Sequence, residues 1–116
     1  RDAIPAAGLP DGPTRLGALA VLVRDGAARL LAGTLAGSTT PLDAALRNVV
    51  GWTGLPLGQA IPLVTRNPAA VLGATDLGEL RPGALADVVL LDSDLRVALT
   101  IREGEVVFDR SSSPPI

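Results

Sequence analysis

Residues 86–92 read ADVVLLD, an unbroken apolar run of strand length with an acid near each end. Turn chemistry precedes it, because residues 78–83 read GELRPG and Gly and Pro favour turns. Residues 95–102, LRVALTIR, then alternate in the period of two that is typical of a half-buried strand. A Glu-Gly turn at 103–104 leads into a last strand over 105–108. The sequence therefore predicts a small antiparallel sheet whose first strand is covered on both faces.

Helix signals lie upstream of this sheet, and the clearest predicts a helix over residues 42–53. Thr40 can cap it, Pro41 suits its first position and Asp43 favours its positive end. Apolar residues recur at helical spacing, at Leu42, Ala45, Leu46, Val49 and Val50.

Two further helices are predicted before the sheet. One runs from residue 56 towards residue 64, with Pro62 as a kink or late start. The other is short and covers residues 69–72, because Asn67-Pro68 repeats the pattern of a cap followed by proline.

The first third of the chain predicts a β-hairpin. Residues 15–24, RLGALAVLVR, form an apolar run, and Asp25-Gly26 suits a two-residue hairpin turn. Residues 27–31 can return as the second strand, and residues 33–38, GTLAGS, are expected to form a small-residue loop before the first helix.

Composition limits the classes of function. The 116 residues are 47% hydrophobic and 19% charged, which suits one small domain, and 2% aromatic, which predicts an aliphatic core. All basic residues are arginines scattered along a chain of net charge −2, which argues against nucleic-acid binding. No segment approaches the roughly 20 apolar residues of a membrane span, and we expect a cytoplasmic protein without a membrane partner.

The chain contains neither His nor Cys. Only Asp and Glu could therefore bind a transition metal, and a His-rich catalytic zinc site cannot be assembled from this chain alone. Any such site needs ligands from another segment.

Three motifs in order resemble the C-terminal signature of the amidohydrolase superfamily: NPAAVLG at 67–73, GELRPG at 78–83 and ADVVLLD at 86–92. Three earlier stretches narrow the likeness. These are DAIPAAGLPDG at 2–12, VRDGAARLLAGTLAGSTTPLDAALRN at 23–48 and WTGLPLGQA at 52–60. Together they are similar to the N-acetylglucosamine-6-phosphate deacetylase family, and the likeness covers residues 1–109.

This resemblance implies an α+β fragment rather than a whole fold. Residues 1–73 would be the end of a (β/α)₈ metal-dependent hydrolase barrel, including its last helices and an inserted hairpin at about 15–31. Residues 74–109 would be C-terminal strands of a small β-sandwich domain, and residues 110–116 a flexible tail.

The activity implied by the resemblance is deacetylation of N-acetylglucosamine 6-phosphate, an amino-sugar phosphate, to glucosamine 6-phosphate and acetate. The family uses a divalent metal, zinc or iron, held by a Glu and two His that lie outside this chain. We therefore expect the chain alone to be inactive, and the full protein to be a homodimer or homotetramer.

The resemblance also implies site residues. Asp2 falls on the catalytic acid/base, which takes the proton of the metal-bound water and passes it to the departing amine. Leu35, Ala36 and Gly37 match the substrate-contacting stretch. From the residues alone, Asp2 is an isolated terminal acid and the Gly33 to Gly37 stretch an ordinary connection. Arg1 departs from the family's Thr and is given no role.

Several alternatives stay open from the sequence. The chain could be a free-standing, non-catalytic α+β interaction module, or part of another amidohydrolase such as a dihydroorotase or a deaminase. Asp87 is interpreted as ordering the turn after Pro82-Gly83, and Trp52 as a core or interface residue rather than a sugar platform. Asp43 and Asn67 are interpreted as helix-start residues.

Overall fold

The computed structural model describes residues 3–112. The chain divides into two compact units, Arg1–Pro41 and Leu42–Ile116. The domain boundaries predicted at residues 73 and 109 stay predictions, and most of the predicted tail lies outside the described residues.

The first unit is a four-stranded antiparallel sheet whose strands neighbour one another in chain order. Its strands are β1 (Gly12–Leu16), β2 (Leu19–Arg24), β3 (Ala27–Leu30) and β4 (Leu35–Ser38). The predicted hairpin is confirmed as β2 and β3. Its turn has φ of 51° at Asp25 and 69° at Gly26, the positive values that a twisted two-residue turn requires.

Two sequence predictions for this unit are wrong. The run 15–24 is not one strand, because Gly17 takes a φ of 58° and the chain turns there between β1 and β2. The stretch 33–38 is not a loop throughout, because its last four residues form strand β4, which pairs with β3. Small residues disfavour strands locally, but ladder hydrogen bonds from a neighbouring strand override this preference.

The core of the first unit lies on one face of the sheet. Val21 and Val23, two residues apart on β2, are buried together with Ala28 of β3. Ile4 and Ala6 from the segment before β1 complete this cluster. The period of two that predicts a strand here therefore also selects which side chains are buried.

The second unit begins with helices. Helix α1 spans Leu42–Thr53, as predicted, and Asp43 lies in its first turn. Helix α2 spans only Leu57–Ala60 and continues as a 3₁₀ turn over Ile61–Val64, with Pro62 near the start of that turn. Helix α3 spans Arg66–Val71.

Helix α3 starts earlier than predicted. Its N-cap is Thr65, whose carbonyl accepts the N–H of Ala69 at 3.2 Å, and no side chain caps it. Asn67 lies in the first turn but does not cap the helix, so the predicted cap is wrong. Pro68 is tolerated there because first-turn N–H groups have no partner within the helix.

The predicted C-terminal sheet is confirmed as β5 (Val88–Leu91), β6 (Val97–Arg102) and β7 (Glu105–Asp109), antiparallel in that order. Asp87 accepts the N–H of Glu103 at 2.7 Å and so orders the turn between β6 and β7. The predicted role of Asp87 in the turn after Pro82-Gly83 is therefore wrong.

The second unit leaves much of its apolar surface exposed. Val89 and Leu90 of β5 are 52% and 50% exposed, so this strand is not covered on both faces within the described residues. Trp52 is 80% exposed, and α1 buries only Leu46. Trp52 is therefore not a core residue, and its interpretation as an interface residue stays a prediction.

Candidate active site

The predicted site segments meet at the end of β4. Ala3 forms a parallel bridge with Ser38, and the N–H of Ile4 donates to the Ser38 carbonyl at 3.1 Å. In sequence, Ala3 follows Asp2 and Ser38 follows Gly37. Asp2 itself lies outside the described residues. The structure thus pairs Ala3, which follows the predicted acid/base, with Ser38, which follows the predicted substrate-binding stretch.

Leu35, Ala36 and Gly37 lie on β4 rather than on a free loop. Gly37 is opposite Ala28 and Leu35 is opposite Arg29, so Ala36 is an extra residue in the ladder. Such a β-bulge bends the strand and re-aims its side chains, and bulges are common beside active sites. Here Ala36 packs against the core cluster while Leu35 is 62% exposed.

Gly37 has a φ of 130°, a conformation that L side chains rarely adopt. A glycine is required at this position because β4 bends here, directly before Ser38, which pairs with Ala27 of β3. The absence of a side chain also lets another molecule approach the backbone closely.

A side-chain network holds this end of β4. The hydroxyl of Thr39 donates to the carbonyl of Gly26 in the hairpin turn. The N–H of Thr40 donates to the Ser38 hydroxyl at 3.1 Å. Asp11 accepts the N–H of Asp25 at 2.5 Å and that of Gly26 at 3.4 Å. The hairpin turn and the end of β4 are therefore joined by side chains.

Sequence reasoning missed Thr39 and Asp11. Beside Thr39 the sequence shows only the helix start at Thr40 and Pro41, and beside Asp11 only the Pro and Gly of a turn, both of which are local patterns. Their partners lie 13 to 15 residues away along the chain. No local pattern contains that information, because the contacts exist only once the sheet has formed.

A cavity of about 540 Å³ lies within the second unit. Its charged lining residues are Asp43, Glu79 and Asp87, and no arginine lines it. The remaining lining is largely aliphatic: Leu42, Leu46, Ile61, Val64, Leu80, Val88, Val89, Leu91 and Val97. A phosphate group needs cations or N–H donors, and this lining offers no cationic side chain for a sugar phosphate.

The carboxylate of Asp43 belongs to a structural contact. Burial favours the neutral form of Asp43, but the hydrogen bond from Arg47, at 2.7 Å, lowers the pKa of this carboxyl below its ordinary value. The same Arg47 guanidinium also donates to the Leu95 carbonyl at 2.7 Å. Asp43 is thus held ionised by an arginine that links α1 to the turn before β6, and it is a poor proton donor.

Asp92 is held in a similar way. The N–H of Arg96, at 2.9 Å, lowers the pKa of the Asp92 carboxyl, and the guanidinium of Arg110, also at 2.9 Å, lowers it further. A hydrogen bond from the Ser111 hydroxyl, at 2.7 Å, lowers the pKa of Asp109. These carboxylates order the turn before β6 and the end of β7.

The residues present do not fit a catalytic transition metal. Within residues 3–112, no three Asp or Glu side chains are grouped so that they could hold a metal ion, and the sequence offers no His or Cys. A metal bound near this chain needs ligands from outside it.

No helix within residues 3–112 combines the length and apolar character that crossing a bilayer requires.

The chain is similar to known proteins in both sequence and structure. The profile described as "Amidohydrolase family" matches residues 29–108, more than half of the chain. The chain belongs to the amidohydrolase family. This family is generally metal-dependent. The superfamily resemblance predicted from the three C-terminal motifs is therefore confirmed.

Individual relatives narrow the likeness to deacetylases. The chain is 43% identical over 106 residues to an Escherichia coli K12 protein named putative N-acetylgalactosamine-6-phosphate deacetylase. It is 37% identical over 114 residues to the Vibrio furnissii N-acetylglucosamine-6-phosphate deacetylase. The crystal structure of the Thermotoga maritima N-acetylglucosamine-6-phosphate deacetylase superposes with a TM-score of 0.84, at 48% identity over 93% of this chain.

The chain spans only part of each relative. It covers 64% of the E. coli protein, 29% of the V. furnissii enzyme and 30% of the T. maritima structure. An α+β fragment with two sheets and few helices, matching a part of the deacetylase structures, is therefore confirmed.

Proposed function

We propose that this chain is the C-terminal portion of a metal-dependent amide hydrolase of amino-sugar catabolism, which deacetylates N-acetylglucosamine 6-phosphate to glucosamine 6-phosphate and acetate. The observation that carries this proposal is the 48% identity and TM-score of 0.84 with the T. maritima deacetylase, of which the chain covers 30%. The chain is inactive alone, since it offers no His or Cys for the metal of this family.

The architecture proposed for the whole protein follows the same likeness. Residues 1–73 form the end of a (β/α)₈ barrel and residues 74–109 form strands of a small β-sandwich. Parallel pairing of Ala3 with Ser38 supports the barrel, which is built from parallel strands, as does the order of β4 followed by α1. The antiparallel β5–β7 sheet, with its exposed apolar side chains, supports the sandwich.

Asp2 is the proposed acid/base. Water adds to the acetyl carbonyl carbon and gives its proton to the Asp2 carboxylate. The carbon–nitrogen bond then breaks as the amine nitrogen takes the proton from Asp2, which ends ionised as it began, and the acetic acid that is released leaves as acetate by giving its remaining proton to the amine or to solvent. The backbone of Leu35, Ala36 and Gly37 contacts the sugar, which the bulge in this strand and the positive φ of Gly37 support. The metal, zinc or iron, is held by residues outside this chain.

N-acetylgalactosamine 6-phosphate is a second candidate substrate. The observation that favours it is the 43% identity to the E. coli protein of that name, against 37% to the V. furnissii enzyme. The two sugars differ only in the configuration of one hydroxyl, and the acetamide that is hydrolysed is the same. The choice therefore depends on contacts to the ring rather than on the proton chemistry.

The test uses a grafted enzyme, in which this 116-residue chain replaces the matching segment of the T. maritima deacetylase. Acetate release is measured with each sugar phosphate, for the grafted enzyme and for the isolated chain with and without added zinc. We expect acetate release by the grafted enzyme only. An inactive but folded and metal-loaded grafted enzyme, or an active isolated chain, would contradict the proposal.

We propose that the complete protein is cytoplasmic and forms a homodimer or a homotetramer. Both expectations come from the resemblance to the deacetylase family. Light scattering on the complete protein measures its mass directly, and a monomer would contradict the oligomeric part of the proposal.

A further inference from the structure

Ser38 holds the segment that follows the proposed acid/base. Its carbonyl accepts the N–H of Ile4, and its backbone bridges Ala3 in parallel. Ser38 is also the last residue of β4 to pair with β3, where it is opposite Ala27. Any movement of Ser38 is therefore passed to Ala3 and Ile4.

Thr39 extends this ladder by one residue with its side chain. Beyond Ser38 the chain leaves the sheet towards Pro41 and α1, and backbone pairing with β3 ends. The Thr39 hydroxyl donates instead to the carbonyl of Gly26, the residue before Ala27. This hydrogen bond anchors the end of β4 where the ladder would otherwise fray.

The acceptor of that hydrogen bond is itself fixed. Gly26 lies in a two-residue turn whose φ values are both positive, and few alternative conformations suit such a turn. Asp11 accepts the N–H groups of both turn residues, Asp25 and Gly26. Thr39 is therefore bonded to a rigid point of the sheet.

We infer that Thr39 is a positioning residue for the proposed acid/base Asp2. The inference rests on the proposed function. Thr39 fixes Ser38, Ser38 fixes Ala3 and Ile4, and Asp2 is joined directly to Ala3. Proton transfer requires hydrogen-bond distance between the carboxylate and the reacting atoms, and a misplacement of about 1 Å costs as much as ~100-fold in rate.

The experiment compares variants of the grafted enzyme. Thr39→Val keeps the shape of the side chain and removes the donor, whereas Thr39→Ser keeps the donor. Thr53→Val is the matched control, because the Thr53 hydroxyl donates to a carbonyl of its own helix, that of Val49. We expect Thr39→Val to lower kcat by about 10-fold or more, with a smaller change in KM, while Thr39→Ser and Thr53→Val stay within about 2-fold of the unchanged enzyme.

A merely structural role predicts a different pattern, in which Thr39→Val lowers the melting temperature without lowering kcat of the folded enzyme. Equal kcat in Thr39→Val and the unchanged enzyme would overturn the inference, as would equal losses in Thr39→Val and Thr39→Ser. If Thr39→Val does not fold, Asp11→Ala loosens the same turn from its other side. We expect a fall in kcat there too, and an unchanged kcat in that folded variant would overturn the inference.

An Asp2→Asn variant separates this inference from the function on which it rests. If Asp2→Asn is inactive and Thr39→Val is fully active, only the positioning role fails. If Asp2→Asn is fully active, the proposed role of Asp2 fails whatever Thr39 does.

Discussion

Gly78 packs directly against the backbone of Arg66 at the start of α3. A Cβ atom on Gly78 would lie 2.8 Å from the Arg66 Cα and 2.9 Å from its nitrogen, closer than real Cβ atoms approach backbone. Gly78 also has a φ of 85°. This glycine therefore lets the segment after α3 fold back onto the helix, and ion pairs of Glu79 with Arg66 and Arg81 accompany the approach.

Gly78→Ala is expected to destabilise the protein more than Gly83→Ala. Both positions have positive φ, which costs an alanine about 1–2 kcal/mol, but a Cβ on Gly83 meets nothing within 4 Å. The melting temperatures of both variants in the grafted enzyme measure the difference. Equal shifts for the two variants would show that the contact with Arg66 is not tight in solution.

Gly37→Ala is expected to weaken substrate binding. The φ of 130° at Gly37 is unfavourable for alanine, and a distorted bulge would move the backbone proposed to contact the sugar. Gly33→Ala is the matched control, since Gly33 has a φ of 90° in the preceding turn but is outside the proposed contacts. We expect KM to rise about 10-fold in Gly37→Ala relative to Gly33→Ala, since each 1.4 kcal/mol is a factor of ten in binding.

Acid is expected to weaken the fold through Asp92. Hydrogen bonds lower the pKa of this carboxyl in the folded protein below its ordinary value of 3.8. A lowered folded pKa contributes stability above the unfolded pKa, and this contribution is lost as pH falls through the folded value. Asp92→Asn should therefore lower the melting temperature at pH 7. The melting temperature of this variant should also decrease less than that of the unchanged enzyme as the pH is lowered from 7 to 3.

The measurement is the melting temperature of the grafted enzyme and of Asp92→Asn as a function of pH. Arg110→Gln removes the cation and should shift the curve in the same direction by less, because the N–H donors of Arg96 and Asp94 remain. Parallel curves for the unchanged enzyme and Asp92→Asn would contradict the role of Asp92.

Local signals predicted the elements in which several cues agree. Helix α1 is predicted because proline, an acid and apolar spacing all indicate the same segment. The turn at Asp25-Gly26 was predicted because few residue pairs adopt its positive φ values. The turn at Gly17 was missed because the apolar run continues through it, and apolar periodicity does not report φ.

Elements and contacts that depend on distant partners could not be predicted locally. Strand β4 is built from small residues with weak strand preference and exists because β3 pairs with it. Asp87 bonds Glu103, 16 residues away, rather than the turn beside it. For the site, the family resemblance supplied Asp2 and Leu35 to Gly37, but Thr39 and Asp11 became visible only through the hydrogen bonds that join the hairpin turn to the end of β4.

In the proposed function, this chain supplies the acid/base Asp2 of a deacetylase whose metal ligands lie elsewhere. Acetate release by the Asp2→Asn grafted enzyme, relative to the grafted enzyme with Asp2 intact, tests it most directly at equal metal content. We expect a loss in kcat of at least ~100-fold, because Asn can neither accept nor return the proton. Equal acetate release by the two proteins would contradict it.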